Sequence, residues 1–240
     1  MLRKHSLVAS FALIVAGFVL MTGVSAPASS TFTVLHNFDN TGYFPVGNLI
    51  FDSKGNIYGT TAQGGLASPN CRSDCGVVFE LSPSGGSWTY KTIYSFTGGA
   101  DGGDPQGNFV IDKTGNLYGA NCLNGASNAG TVFKLSPSNI FSVLYTFTGG
   151  LDGSCPTGAM AIDALGNLYG TAFHGGASNA GTLFKLTPTG TLTVLYTFAG
   201  GADGQNPDAA LMILQIHNGE RIPVFPTSLK PASYTVQWLP

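Results

Sequence analysis

The sequence predicts an all-β protein: a β-propeller-type repeat array with three full four-stranded blades and a composite fourth blade drawn from the two chain ends. Three observations predict it. A long motif is written twice, since "GASNAGTVFKLSP" from Gly125 and "GASNAGTLFKLTP" from Gly176 share eleven of thirteen residues. Short β-type runs alternate with Gly, Asn, Asp, Ser and Pro, and the helical spacing i, i+3, i+4, i+7 is sustained nowhere after residue 28. The 240 residues include 34 glycines, with 43% hydrophobic and only 9% charged side chains, a turn-rich chain that can still build a core.

Residues 1–28 read as a secretory signal peptide. "MLRKHS" supplies Arg3 and Lys4, eighteen uncharged residues follow from Leu7 to Val24, and "SAPASS" supplies small residues for cleavage. Cleavage after Ala28 is favoured over Ala26, which would leave Pro27 just past the cut. The alternative is an uncleaved anchor, because eighteen apolar residues just span a bilayer. Removing the leader leaves eight basic and twelve acidic side chains, a net charge of −4. That balance, with no basic run, excludes nucleic acid as a partner. Membrane attachment would come only through an uncleaved leader or a C-terminal anchor missing from this sequence.

The repeat domain is expected over residues 29–240. Its units open as "PVGNLIFDSKGNIYGTTAQGG" from Pro45, "PQGNFVIDKTGNLYGANCLNG" from Pro105 and "PTGAMAIDALGNLYGTAFHGG" from Pro156. They occupy about 45–98, 105–149 and 156–200. Tyr118 and Tyr169 lie 51 residues apart, and Tyr58 and Tyr118 lie 60 apart. The extra residues fall in "LASPNCRSDC" and "SGGSWTYKT", where loops tolerate them.

In the middle unit the four strands are "NFVID", "NLYGA", "TVFKLS" and "FSVLYTF", each bounded by turn residues. The first two are joined by D-x-x-G-N. Asp112 suits an Asx turn, Gly115 a positive φ, and Asn116 tolerates one. This turn reading outweighs metal binding by Asp52, Asp112 and Asp163. The fourth strand is apolar on both faces, with Val143, Tyr145 and Phe147 on one and Leu144 on the other, as suits blades stacked face to face.

Together, "D-x-x-G-N-[IL]-Y-G-[TA]", "G-T-[VL]-F-K-L-[ST]-P" and "[VL]-L-Y-T-F-[TA]-G-G-x-D-G-x-x-P" resemble the GloVer tandem repeat of the "choice-of-anchor" group of exported bacterial proteins. The resemblance covers roughly residues 31–213. It implies propeller-like repeats, bacterial origin, export and surface display, and it implies no reaction. Such proteins usually carry more repeats and a C-terminal anchor, whereas this sequence has three full repeats and no recognisable anchor.

The ends are irregular. "TFTVLHNF" aligns with the fourth strand, Phe38 matching Phe96, Phe147 and Phe198. "PDAALMIL" opens a fourth unit, but Leu214 stands where Asp52, Asp112 and Asp163 stand. Either residues 208–240 supply three degenerate strands, near 209–216, 221–225 and 233–238, that join the N-terminal strand, or the tail is truncated or frameshifted. The first closes sheet edges and is favoured.

Candidate chemistry is sparse. Cys71, Cys75, Cys122 and Cys155 suit disulfides in an oxidising compartment, preferably 71–75 with 122–155; a zinc site is the weaker alternative because paired knuckles are missing. Asp101, Asp152 and Asp203 share one position of the G-G-x-D-G loop and are the candidate ligand-binding residues, for Ca2+ or sugar hydroxyls, against a turn role that is favoured. No Ser–His–Asp or Cys–His pattern can be placed, so no catalytic residue, metal or cofactor is expected. The function expected is an exported protein, secreted, periplasmic or on the surface, with a binding or surface-structural role toward an extracellular glycan or protein. The alternative is a propeller enzyme such as a lyase or glycan-acting hydrolase, which should break the repeat symmetry with charged residues unique to one blade.

Overall fold

The computed structural model describes residues 32–38, 42–71, 74–106, 109–158, 160–207, 213–217 and 220–224. The expected signal segment, 1–28, lies outside the described residues. By contacts the chain divides into two compact units, Met1–Leu35 and His36–Pro240. In the first, residues 32–35 carry no regular secondary structure.

The second unit is all-β among the described residues. Its first sheet holds β1 (Tyr43–Phe51), β2 (Ile57–Gln63), β3 (Val77–Ser84) and β4 (Ser87–Ser95) in sequence order. The second holds β5 (Gly103–Pro105) and β6 (Val110–Ile111), both paired with β7 (Leu117–Leu123), then β8 (Thr131–Leu135) and β9 (Phe141–Thr146). The third runs β10 (Ala161–Ile162), β11 (Leu168–Ala172), β12 (Thr182–Leu186) and β13 (Leu192–Thr197). There an isolated Ser154–His174 bridge stands where β5 pairs in the second sheet. Every pairing is antiparallel, so each sheet is an up-and-down meander of the propeller type.

Strict alternation fails in the fourth strand for a local reason. Val132 pairs with Tyr145 while Phe133 pairs with Val143, which makes Leu144 the extra residue of a bulge. The same shift occurs between Val78 and Phe79 and between Leu183 and Phe184. It frees Phe147 to turn inward, while Val143 stays exposed.

The core is a file of phenylalanines. Phe79, Phe133 and Phe184, central in the third strand of each sheet, are fully buried. Gly119 lies under Phe133, and a Cβ there would stand 2.5 Å from the Phe133 Cζ and 2.6 Å from Phe109. The glycine of "NLYGA" is therefore needed for close packing. Phe96 from the first sheet meets Phe133 of the second edge-on at 5.2 Å, and Phe147 meets Phe184 of the third likewise at 5.2 Å. Each such phenylalanine contributes about 1.5–3 kcal/mol by burial, so the sheets hold one another rather than themselves.

One backbone join recurs at each unit boundary. Phe44, Asp104, Cys155 and Asn206 immediately precede Pro45, Pro105, Pro156 and Pro207, and their φ angles are 53°, 54°, 53° and 52°. Asp104, Cys155 and Asn206 donate their N–H to the carbonyls of Cys75, Ala129 and Ala180 at 3.0, 2.9 and 2.7 Å. A phenylalanine at positive φ is an outlier by sterics, so the angle goes with this position before the proline and not with the residue type.

The chain ends depart from expectation. Residues 32–38 form no strand. Two of the three tail strands are present as β14 (Ile213–His217) and β15 (Glu220–Val224), paired with each other from Ile213–Val224 to His217–Glu220. The third, near 233–238, lies outside the described residues.

Candidate functional site

Two sets of repeated carboxylates are held by turns. In "DKTGN", Asp112 Oδ1 accepts the N–H of Thr114 at 2.8 Å and of Asn116 at 2.9 Å, while Oδ2 accepts Asn116 Nδ2 at 2.7 Å and the Tyr118 hydroxyl at 3.0 Å. Asp52 and Asp163 repeat the pattern with Tyr58 and Tyr169. Burial alone would raise the Asp112 pKa. The donors from Asn116, Thr114 and Tyr118 outweigh it and hold the carboxyl well below its ordinary range. Asp52 and Asp163 are lowered for the same balance of reasons.

Asp101, Asp152 and Asp203 sit in the loops that leave each fourth strand. Their Oδ2 atoms accept the hydroxyls of Tyr94, Tyr145 and Tyr196 at 3.0, 3.0 and 2.9 Å. The same atoms accept the N–H of Thr97, Thr148 and Ala199 at 2.8, 2.8 and 2.9 Å. Thr97 and Thr148 add hydroxyl donors to Oδ1. Each aspartate therefore closes its own loop against its own tyrosine. No group of three or more His, Cys, Asp or Glu suited to a metal occurs among the described residues.

The disulfides join Cys71 to Cys75 and Cys122 to Cys155, leaving no free cysteine among the described residues. The first lies in the loop inserted after β2. There Asn124, just after β7 of the second unit, donates to the carbonyls of Asn70 and Gly98 at 3.3 and 2.8 Å, holding the inserted loop against the second unit. The second covalently ties the end of β7 to the join that opens the third unit. Beside it, Asn121 is fully buried, with Nδ2 on the Asp101 carbonyl and the Thr131 hydroxyl and Oδ1 without a partner.

The repeat symmetry breaks most clearly between the first and second sheets. Lys134 and Lys185 lie over the rings of Tyr118 and Tyr169, each 5.9 Å from the ring centre. The first sheet has Glu80 at that position. Tyr58 there contacts two carboxylates, Asp52 Oδ2 at 3.2 Å and Glu80 Oε1 at 3.3 Å, with one phenolic proton to serve both. Burial and the charges of Glu80 and Asp52 push the Tyr58 pKa up to about 12.

Glu80 borders a cleft of about 340 Å3 between the two sheets. Lys54, Lys91 and Lys113 line it, from the turn after β1, from β4 and from the turn after β6, together with the carboxylates of Asp52 and Glu80. Lys91 stands opposite Glu80 in the register of β3 and β4. Ser53, Asn56, Thr114, Ser136 and Asn139 supply hydroxyls and amides, and Ile93, Ile111 and Leu117 supply apolar surface. The neighbouring cleft between the second and third sheets has Ala164 and Leu165 where the first has Lys113 and Thr114, and Lys113 is the one lysine lining it. Sequence reading missed this cleft because its residues span Asp52 to Asn139. The available signal was each departure from the repeat: Glu80 for lysine, and Lys91 for Ser142 and Thr193.

A family model described as the Gloeobacter/Verrucomicrobia repeat matches residues 24–220. No curated protein matches the chain. Among solved structures, a protein named as a candidate gluconolactonase is similar at 18% identity and a TM-score of 0.37, over 61% of this chain and 45% of that one. A protein of unknown function from Dyadobacter fermentans is similar at 17% identity and a TM-score of 0.40, over 67% of this chain and 56% of that one. This chain thus spans about half the length of the solved structures it matches.

Proposed function

We propose an exported binding role for this chain, which belongs to the Gloeobacter/Verrucomicrobia repeat family, with the cleft between its first and second sheets as the binding site and an acidic extracellular glycan as the ligand. The observation that carries this reading is that Lys54, Lys91 and Lys113 line one cleft, outnumbering its carboxylates Asp52 and Glu80, in a chain whose charged residues are only 9%. Ammonium groups attract the carboxylate or sulfate of an acidic sugar, hydroxyls and amides exchange hydrogen bonds with its ring hydroxyls, and the isoleucines face its C–H surface. Export is supported by the N-terminal pattern and by two disulfides, which persist in oxidising compartments.

A lyase or hydrolase working through carboxylates would need a free pair, whereas Asp52 is held by four donors and Glu80 accepts the Tyr58 and Ser82 hydroxyls. The test is a calorimetric titration with a uronic-acid hexasaccharide and its carboxyl-reduced counterpart. Binding of the acidic form, weakened by salt and lost on replacing Lys54, Lys91 and Lys113 by alanine, is expected. Equal binding of both sugars, or binding indifferent to the three changes, contradicts the reading. Cleavage of the hexasaccharide would make the protein an enzyme.

A further inference from the structure

Residues 36–38 form no strand, yet they occupy a fourth strand's place. Tyr94 of the first sheet stacks on Phe141 of the second, 4.0 Å between ring centres and 9° between planes. His36 stacks on Tyr90 of the first sheet at 4.1 Å and 7°. Phe96 meets Phe133 at 5.2 Å and 63°, and Phe38 meets Phe79 at 5.2 Å and 64°. The chain therefore lays on its first sheet a segment with the ring contacts of a preceding sheet's fourth strand, though not its strand pairing.

The inner part of that face is bare. Phe109 in the second sheet is 2% exposed and Met160 in the third 7%, because the sheet before each covers them. Val78 of β3 and Ile93 of β4 cluster with Phe109, and Ala120 of β7 and Val132 of β8 cluster with Met160. The equivalent residue of the first sheet, Leu49, is 55% exposed, and Phe51 beside it is 62% exposed. What is missing is an inner part of a sheet whose fourth strand's place is already taken.

The other end of the repeat array offers the complement. Pro207 follows the same join on the third sheet that Pro105 and Pro156 follow on the first and second. Ile213, where β14 opens, lies 51 residues after Ile162, where β10 ends, so β14 runs through the positions of the D-x-x-G-N turn, while β15 opens at Glu220, 52 residues after Leu168 of β11 and close to the repeat spacing. β15 follows its partner β14 through the two residues Asn218 and Gly219, a pair that suits a tight hairpin. A fourth unit therefore begins with a hairpin, and the N-terminal segment takes a fourth strand's place without the first three.

We infer that residues 208–240 dock on the face of the first sheet that bears Leu49 and Phe51, and that β14 and β15 with the following chain complete one sheet with residues 36–38. The occupant is this chain's own tail, and the driving force is burial of Leu49 and Phe51.

Photo-cross-linking tests this on the full chain. The photoreactive residue p-benzoylphenylalanine replaces Leu49, an exposed position that tolerates a large ring. Irradiation at low protein concentration should give a monomer in which the peptide around residue 49 is joined to a peptide within 208–240. A cross-linked dimer would assign the face to a second copy, and no cross-link to the tail would leave it open to solvent; either result overturns the inference. As a second measurement, a chain ending at Pro207 should show faster hydrogen exchange in residues 43–51 than the full chain. Unchanged exchange there counts against tail docking.

Discussion

The Tyr118 hydroxyl donates to Asp112 Oδ2 at 3.0 Å, so a side chain of the second strand locks the turn that precedes it. Asp112 also holds both Thr114 and Asn116. Hydrogen bonds to a charged group are the stronger kind, and several are lost together when it is removed. Asp112→Ala should destabilise the protein by about 2–3 kcal/mol, read as a lower urea midpoint. A change within experimental error would mean the turn forms without its aspartate.

The tyrosine partners make stability fall at high pH. Burial, with the adjacent aspartate, pushes Tyr118 and Tyr145 up to about 12, as burial, Glu80 and Asp52 do for Tyr58. A tyrosine in the unfolded chain loses its proton near about pH 10. The unfolded state therefore sheds protons first, and the stability these groups supply is full below about pH 10 and lost toward about pH 12. The lowered Asp52, Asp112 and Asp163 act in the opposite direction: their contribution is present above about pH 4 and falls in more acid solution. Urea midpoints measured across pH should drop at both ends, and tyrosine absorbance should reveal a late-titrating set in the folded protein.

Phe147 is fully buried and meets Phe184 across a sheet boundary. Phe147→Ala should cost about 3–5 kcal/mol, as large core truncations do. The change should broaden signals in the second and third sheets together, because both faces of the contact lose packing.

Much of this fold is legible in the sequence because each unit uses the same residue for the same physical task. Gly119 admits Phe133, Asp112 folds its turn, and Phe147 crosses to the next sheet; the repetition of these residues makes their roles visible. The bulge at Leu144 was not legible, since a single extra residue leaves the hydrophobic pattern intact. The lysine cleft was not legible either. Lys54 and Lys91 belong to one unit and Lys113 to the next, and only the stacking of sheets brings them together. The placement of His36 and Phe38 was anticipated by alignment, while their lack of strand pairing depends on partners that sequence alone does not supply.

The aspartates of the G-G-x-D-G loops should bind calcium weakly at best, in the roughly millimolar range of extracellular modules. Each already accepts a tyrosine hydroxyl and a backbone N–H. Calorimetry with calcium before and after changing Asp101, Asp152 and Asp203 to Asn decides the point. Tight binding abolished by the triple change would make these loops a metal site.

The Cys122–Cys155 bond closes a separation of 33 residues across two units. Replacing both cysteines by serine should lower stability by about 2–4 kcal/mol. Thiol labelling of the unfolded, unreduced protein should give no adducts; two or more would contradict the pairing.

The join at Phe44, Asp104, Cys155 and Asn206 shows how such an array can diversify. In the last three the backbone N–H makes the same bond whichever side chain is present, and the side chain adds to that seam or leaves it alone. One unit can therefore carry a half-buried acid there, another a covalent staple, and another an amide that reaches His174. A newly duplicated unit inherits a working seam at once, and afterwards acquires its own character one substitution at a time without disturbing its neighbours.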